Sequence, residues 1–411
     1  MATIRAFRAL RPVPEKVREV ASVPYDVVTT LEAKKLAASS PLNFLHVTRP
    51  EIDLPEDTVP YDKRVYIKAR ENLQKLINDG VFLEEEKPSL YLYRLRSDGH
   101  EQVGLAGCFS IEEYEKKIIR KHENTRKEKE DDRFRHILAI SAHSGPVLLT
   151  YRGNDEINKL VTSEIVKTPI YDFKALDGVQ HTLWRVENTR AIIKTFKKIP
   201  ALYIADGHHR AAGAWRLKEE MLKRYPLAGD EEFRYFLAVV FPSDQLRILP
   251  YNRYISDLNG MSVKTFLESL GERFEVTTLG ILNEGYEPRE KGHFGMYLDK
   301  CWYLLKPKKI IKINPDDPIS KLDLTLFQSE ILEPLIGITD QKSDTRIDFV
   351  GGPSSSMKLM EKVDAEGGVA FTLYPVTVDE LMAVSDAGMI MPPKSTWFSP
   401  KLRSGLLIHK F

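Results

Sequence analysis

Cysteine is nearly absent: Cys108 and Cys301 are the two in the chain, far apart and in apolar surroundings. That count excludes a disulfide framework and a cysteine-rich zinc site. An excess of either charge is missing too, because 60 Lys and Arg stand against 59 Asp and Glu, for a net charge of +1. Such a balance gives no global attraction to nucleic acid and argues against DNA as a partner. No apolar run approaches the length of a membrane span, and Met1-Ala2-Thr3-Ile4-Arg5 opens without the apolar core of a secretory signal. We therefore expect a cytoplasmic protein with no membrane partner. Internal repeats, low-complexity tracts and long linkers are also lacking, as is the His-Glu-x-x-His spacing of a zinc protease.

What is present is a globular composition, 42% hydrophobic and 29% charged, on a chain of 411 residues that exceeds one ordinary core. We expect an α+β protein with mixed sheets, in two parts: residues 1–258, and a C-terminal α+β part over residues 259–411. The pattern changes character near Asn259-Gly260. The clearest helix covers residues 61–78, where Tyr66, Ala69, Leu73, Leu76 and Ile77 make one stripe and Gly80 marks the stop. Two hairpins follow, 90–95 with 103–109 across Asp98-Gly99, and 171–175 with 180–186 across Asp177-Gly178. Ser110 and Glu113 read as a capping box opening a helix. Residues 235–241 read as a strand buried on both faces. Residues 43–47 read as a strand that places His46 among apolar neighbours. In the second part, strands 294–298 and 302–305 flank Asp299-Lys300, and Asp317-Pro318 opens a helix carrying Leu322, Leu326 and Ile331.

The stretch that promises chemistry is Ile204-Ala205-Asp206-Gly207-His208-His209-Arg210. An apolar run from Ile199 leads in, and alanine-rich sequence with helical spacing follows to Met221. The pattern is strand, tight turn, helix. A helix start offers unpaired N–H groups and partial positive charge, which attract phosphate or carboxylate. Arg210 adds a bidentate fork for such an anion, Gly207 permits close approach to the backbone, and Asp206 suits a hard cation. His208 and His209 add donors that titrate near neutrality.

Other segments carry two readings each. The run KHENTRKEKEDDRFR, residues 121–135, is either a solvated face or a mobile loop that closes over substrate. In the second case Glu123 is the base or metal contact, and Arg126 meets phosphate. Asp26 either caps the helix that starts near Thr30 or belongs to a site. The proline-rich stretch 391–401, with Lys394, is either a functional loop or an arm packed by its aromatics.

Asp206-Gly207-His208-His209-Arg210 resembles the phosphate-binding turn of the ParB/sulfiredoxin superfamily, and in this form the turn of its free-serine kinases. Across its length the chain is similar to the prokaryotic "domain of unknown function 1015" family. The residues that carry this likeness are Val23 to Val27, Asn43 to Val47, Lys121-His122-Glu123, Lys129 to Arg133, the Asp206–Arg210 turn, Arg346 to Gly352 and Pro393 to Phe398. The resemblance implies a ParB/sulfiredoxin-like core around the strand-turn-helix, and a nucleotide, ATP or ADP with Mg2+, as cofactor.

Phosphoryl transfer needs phosphate donors, a metal and a carboxylate for the acceptor. We accordingly take Glu123, Asp206 and His209 as catalytic candidates, Gly207, His208, Arg210, Arg126 and Lys394 as nucleotide-binding, and Asp206 as the metal contact. The first reading is a small-molecule kinase acting on a hydroxyl such as that of free L-serine. A ParB-like nucleotide-binding regulator of DNA stands second, and a metal-dependent hydrolase using His208, His209 and an acid stands third.

Overall fold

Tyr235–Pro242, the apolar octapeptide, is buried from Phe236 onward, as a strand covered on both faces must be. It runs parallel to Val147–Tyr151 on one side and antiparallel to His100–Ser110 on the other. These strands centre a mixed eight-stranded sheet. From one edge its order is Ile119–Arg120, Leu202–Asp206, Val147–Tyr151, Tyr235–Pro242, His100–Ser110, Tyr91–Ser97, Gln180–Arg185 and Tyr171–Lys174. Both expected hairpins of this region are among its neighbours. The structure, a computed structural model, describes residues 1–226, 229–311, 314 and 316–411.

The α+β class holds, and the chain divides into two compact units, residues 1–246 with 400–411, and residues 247–399. The sequence pattern had put the division after residue 258. The tail joins the first unit because Ile408–Lys410 is an inner strand of a four-stranded sheet, between Ala9–Pro12 and Ala142–His143. Ile408 is fully buried there among Phe44, Val47, Leu73 and Phe82. Upstream in the tail, Arg403 donates to His181 and ion-pairs with Asp177. His181 Nε2 thus accepts, so Nδ1 carries the proton and donates to the Tyr93 hydroxyl at 2.8 Å.

Several local expectations change. Residues 43–47 do not form a strand: Asn43 accepts the Leu45 N–H at 3.0 Å, and the chain turns into the short helix Leu45–Thr48. His46 then bonds Asp53 at 2.8 Å. The helix after Ser110 exists, Ile111–Glu115, but the Ser110 side chain makes no cap bond. Glu113 is drawn away by Thr3, whose N–H and hydroxyl it accepts. The charged run is no open loop from end to end: Lys127–Ile140 is a helix that buries Asp132, Arg133 and His136. By contrast, Thr29 and Glu32 form the capping box of Thr30–Ala37.

The second unit holds a six-stranded antiparallel sheet, in the order Phe274–Gly280, Cys301–Pro307, Phe294–Leu298, Val369–Leu373, Tyr251–Ile255 and Ile347–Gly351. Its two chain ends pair as a ribbon, Arg247–Leu249 with Trp397–Ser399. Asp317 does not open the expected helix. It accepts the N–H groups of Ile319 and Ser320 in a turn, and the helix begins at Asp323, to continue as a π-helical segment through Ile336. Arg253 is wholly buried under the Phe349 ring and donates to Gln341 and to the carbonyls of Tyr251, Pro393 and Lys394. With no carboxylate beside it, burial lowers its pKa to about 9.

Because Ile408 fills the centre of its sheet with no exposed surface, Ile408→Ala is expected to cost about 2–5 kcal/mol. Urea denaturation followed by circular dichroism measures this loss.

Candidate functional site

The strand Leu202–Asp206 is buried through Ala205. Its pairing with Val147–Tyr151 shifts register between Ile204 and Asp206. A bulge of this kind re-aims the side chain that follows it; here Ala205 is the extra residue, and Asp206 pairs again, with Leu148, at the strand's end. Gly207 comes next with φ +94°, left-handed, as the N-cap of the helix His208–Arg224. A side chain is excluded at Gly207 twice over. The backbone there is disfavoured for L-residues, and a Cβ would lie 2.9 Å from the Arg210 guanidinium carbon.

Arg210 folds back over this turn. Its Nη1 donates to the Pro146 carbonyl, while Nη2 lies 3.7 Å from Asp206 and 3.8 Å from Asp26. The Nε group is buried with no hydrogen-bond partner. Lys401 donates to Asp206 at 3.0 Å. Burial alone would raise the Asp206 carboxyl, but Lys401 and Arg210 together hold it well below the usual carboxylate range. Two cations thus face a carboxylate expected to take Mg2+. Its charge is already spent on them, and the surroundings do not fit a third cation.

His208 begins the helix, and its Nδ1 lies 3.7 Å from Glu123. The His122 ring meets the His208 ring edge-on, with centroids 4.5 Å apart. Both imidazoles are almost fully buried. Burial lowers His122 to about 4, and burial together with His122 lowers His208 well below its ordinary value, so both are neutral at pH 7. His209 points elsewhere, its Nε2 accepting the Arg126 N–H at 3.2 Å.

A second buried guanidinium stands nearby. Arg133 packs 3.8 Å over the Tyr25 ring and pairs with Asp132 at 2.6 Å, and the Tyr66 hydroxyl donates to the same carboxylate. His136 donates from Nε2 to the Val47 carbonyl, and burial followed by the nearby Arg133 lowers it to about 4. Two cavities adjoin these groups. A small one of about 30 Å3 is bounded by Gly145, Ser404 and Arg210, and a larger one of about 540 Å3 by Lys34, Arg49, Tyr61 and Lys129. Tyr25, Thr48, Arg133 and His136 line both.

The structure therefore gathers Glu123, Arg126, Asp206, Gly207, His208, His209 and Arg210. Lys394 belongs to the other unit, where its ammonium lies 5.4 Å from the Tyr251 ring centre. The sequence reading includes His122, Tyr25 and Arg133 among the residues of the family likeness and Lys401 in the proline-rich stretch, but assigns none of them to the site. Lys401 closes the same proline-rich stretch as Lys394, and composition does not separate the two. Gly207→Ala is expected to cost about 1–2 kcal/mol from the left-handed backbone alone, with displacement of Arg210 adding to it. Urea midpoints of the variant and wild type give the difference.

Likeness to solved structures is broad and distant. A conserved hypothetical protein from Pyrococcus furiosus aligns at 14% identity, with TM-score 0.34, over 74% of this chain and 95% of that one. A free serine kinase in complex with AMP aligns at 13% identity and TM-score 0.34, over 74% and 91%. SbnI from Staphylococcus aureus, with a C-terminal truncation, aligns at 12% identity and TM-score 0.38, over 74% and 87%. No curated protein matches the chain. The model of one family, described as protein of unknown function (DUF1015), matches residues 4–325, and the chain belongs to that family.

Proposed function

We propose that the first unit is a nucleotide-dependent kinase of the cytoplasm that passes a phosphoryl group to the hydroxyl of a small molecule, free L-serine being the first to try. The observation that carries this reading is Arg210: a buried guanidinium, its Nε unpartnered, folded against a left-handed glycine at a helix start. Buried donors without partners are rare and costly, and an anion resolves the cost. The helix start supplies N–H groups and positive potential to the same place. Lys401 adds a further cation. Together these groups fit the phosphates of ATP or ADP.

Asp206 serves here as the anchor that aims Lys401 and Arg210. Glu123, its side chain partly exposed beside His208, is the carboxylate for the acceptor. In the transfer, the bond from phosphorus to the nucleotide's leaving oxygen breaks and one to the acceptor oxygen forms. The hydroxyl proton passes to Glu123. The larger cavity has the volume of a small-molecule pocket and an aromatic wall of Tyr25, Tyr61 and Tyr66, suited to the nucleoside. Among the described residues no helix is long and apolar enough to cross a membrane.

Titration calorimetry with ATP and with ADP tests the cradle. Wild type is expected to bind at least one of them, and Arg210→Ala to bind at least tenfold more weakly, about 1.4 kcal/mol. Absence of binding to either at millimolar concentration overturns the proposal. The acceptor step is read separately, with phosphoserine measured by mass spectrometry. Glu123→Gln should lower turnover by roughly 10²–10⁴ while nucleotide affinity stays near that of wild type. Equal turnover in Glu123→Gln removes the base assignment and leaves the cradle standing.

A further inference from the structure

Among the described residues, one group of three side chains gathers donor atoms in the manner of a metal centre: His122, Glu123 and His208, with one donor atom from each lying within 4.8 Å of the others. We propose that this group binds a divalent transition-metal ion. The arrangement has a topological origin. Ile119–Arg120 runs parallel to Leu202–Asp206 as its edge neighbour, with Leu202 opposite Ile119 and Tyr203 opposite Arg120. Parallel strands end on the same side of the sheet, so the residues that follow each strand converge there.

Geometry and chemistry agree on the class of ion. A tetrahedral centre with bonds of about 2.0–2.1 Å holds its donors about 3.4 Å apart. His208 Nδ1 and a Glu123 oxygen stand at 3.7 Å, so a few tenths of an ångström closes that edge. Two imidazoles and one carboxylate form the donor set that suits zinc, iron, manganese or cobalt, with positions left open for water or substrate. Magnesium, which prefers oxygen donors, is served less well.

The histidines also show what an ion would satisfy. His122 is 2% exposed and its Nδ1 has no partner; the ring's hydrogen bond to the Ile204 backbone leaves that nitrogen spare. Metal-bound histidines commonly present their other nitrogen to a backbone carbonyl in this way. His208 is 5% exposed and turns Nδ1 toward the Glu123 carboxylate, at 3.7 Å. A buried imidazole with an unpartnered nitrogen, packed edge-on against a second whose Nδ1 faces a carboxylate, forms a built donor set.

This site goes beyond the kinase reading and does not depend on it, since no nucleotide enters the donor set. The two are compatible. A carboxylate bound to an ion through one oxygen keeps the other for an acceptor proton. Asp206 stays outside the site, held by Lys401 and Arg210.

The test uses the full chain, stripped with a chelator and titrated with Co2+ while the visible d–d absorption is followed, and with Zn2+ by calorimetry. The expected result is one ion per chain and at least tenfold weaker binding in both His122→Ala and Glu123→Gln. Because His122 is buried, His122→Ala can fail to fold. Glu123→Gln, at a partly exposed side chain, then decides alone, with circular dichroism verifying its fold. The inference is overturned by a wild type that shows no saturable absorption or heat. It is equally overturned by unchanged binding in Glu123→Gln. Nucleotide calorimetry on the stripped protein reports on the kinase reading separately.

Discussion

A guanidinium removed from water costs several kilocalories per mole unless carboxylates and carbonyls replace the lost solvent, and Arg210 is 8% exposed. Two of its partners come from far along the chain, Asp26 from the N-terminal region and the Pro146 carbonyl before a central strand, and the third, Asp206, stands four residues before it. Asp206 in turn holds Lys401. A single buried cation thereby fixes the relative places of four separated segments. The bulge before Asp206 and the left-handed Gly207 are the local means by which the backbone brings acid and guanidinium face to face.

The same unit buries a second guanidinium by different means. Arg133 has one close carboxylate, Asp132, and lies over the Tyr25 ring, whose face receives a cation. Arg133 lines both cavities, while Arg210 lines only the small one. The contrast with Arg253 in the second unit is instructive. That side chain is satisfied by an amide and carbonyls alone, and burial lowers its proton affinity instead. Beside Arg210 and Arg133, acids outweigh the same burial and raise the proton affinity.

How much of this was legible in the sequence follows from the range of each interaction. The turn at Gly207 was readable because an apolar run, a glycine and helical spacing lie within twenty residues. The strand Tyr235–Pro242 and the hairpin across Asp177-Gly178 were readable for the same reason. Lys401 was not, because its partner Asp206 is 195 positions away and a lysine in a proline-rich stretch has no periodicity to betray it. The helix Lys127–Ile140 was obscured by composition. Its buried polar residues, Asp132, Arg133 and His136, are the types that mark an exposed face when read alone. Glu113 looked like a cap and became the acceptor for Thr3, where a distant donor outcompeted the local one.

The placement of Lys401 also bears on how the protein is made. Synthesis runs from the N-terminus, so Asp26, Asp206 and Arg210 leave the ribosome long before residues 400–411, and all of residues 247–399 are added in between. During that interval the inner position of the four-stranded sheet waits for Ile408–Lys410, and Asp206 faces Arg210 without its ammonium partner. The Asp206 carboxylate therefore acquires its ammonium partner only after residue 401 has emerged. A nascent chain halted within the second unit carries the complete glycine turn while the acid beside it still lacks Lys401, a partner that the folding of the turn itself does not supply.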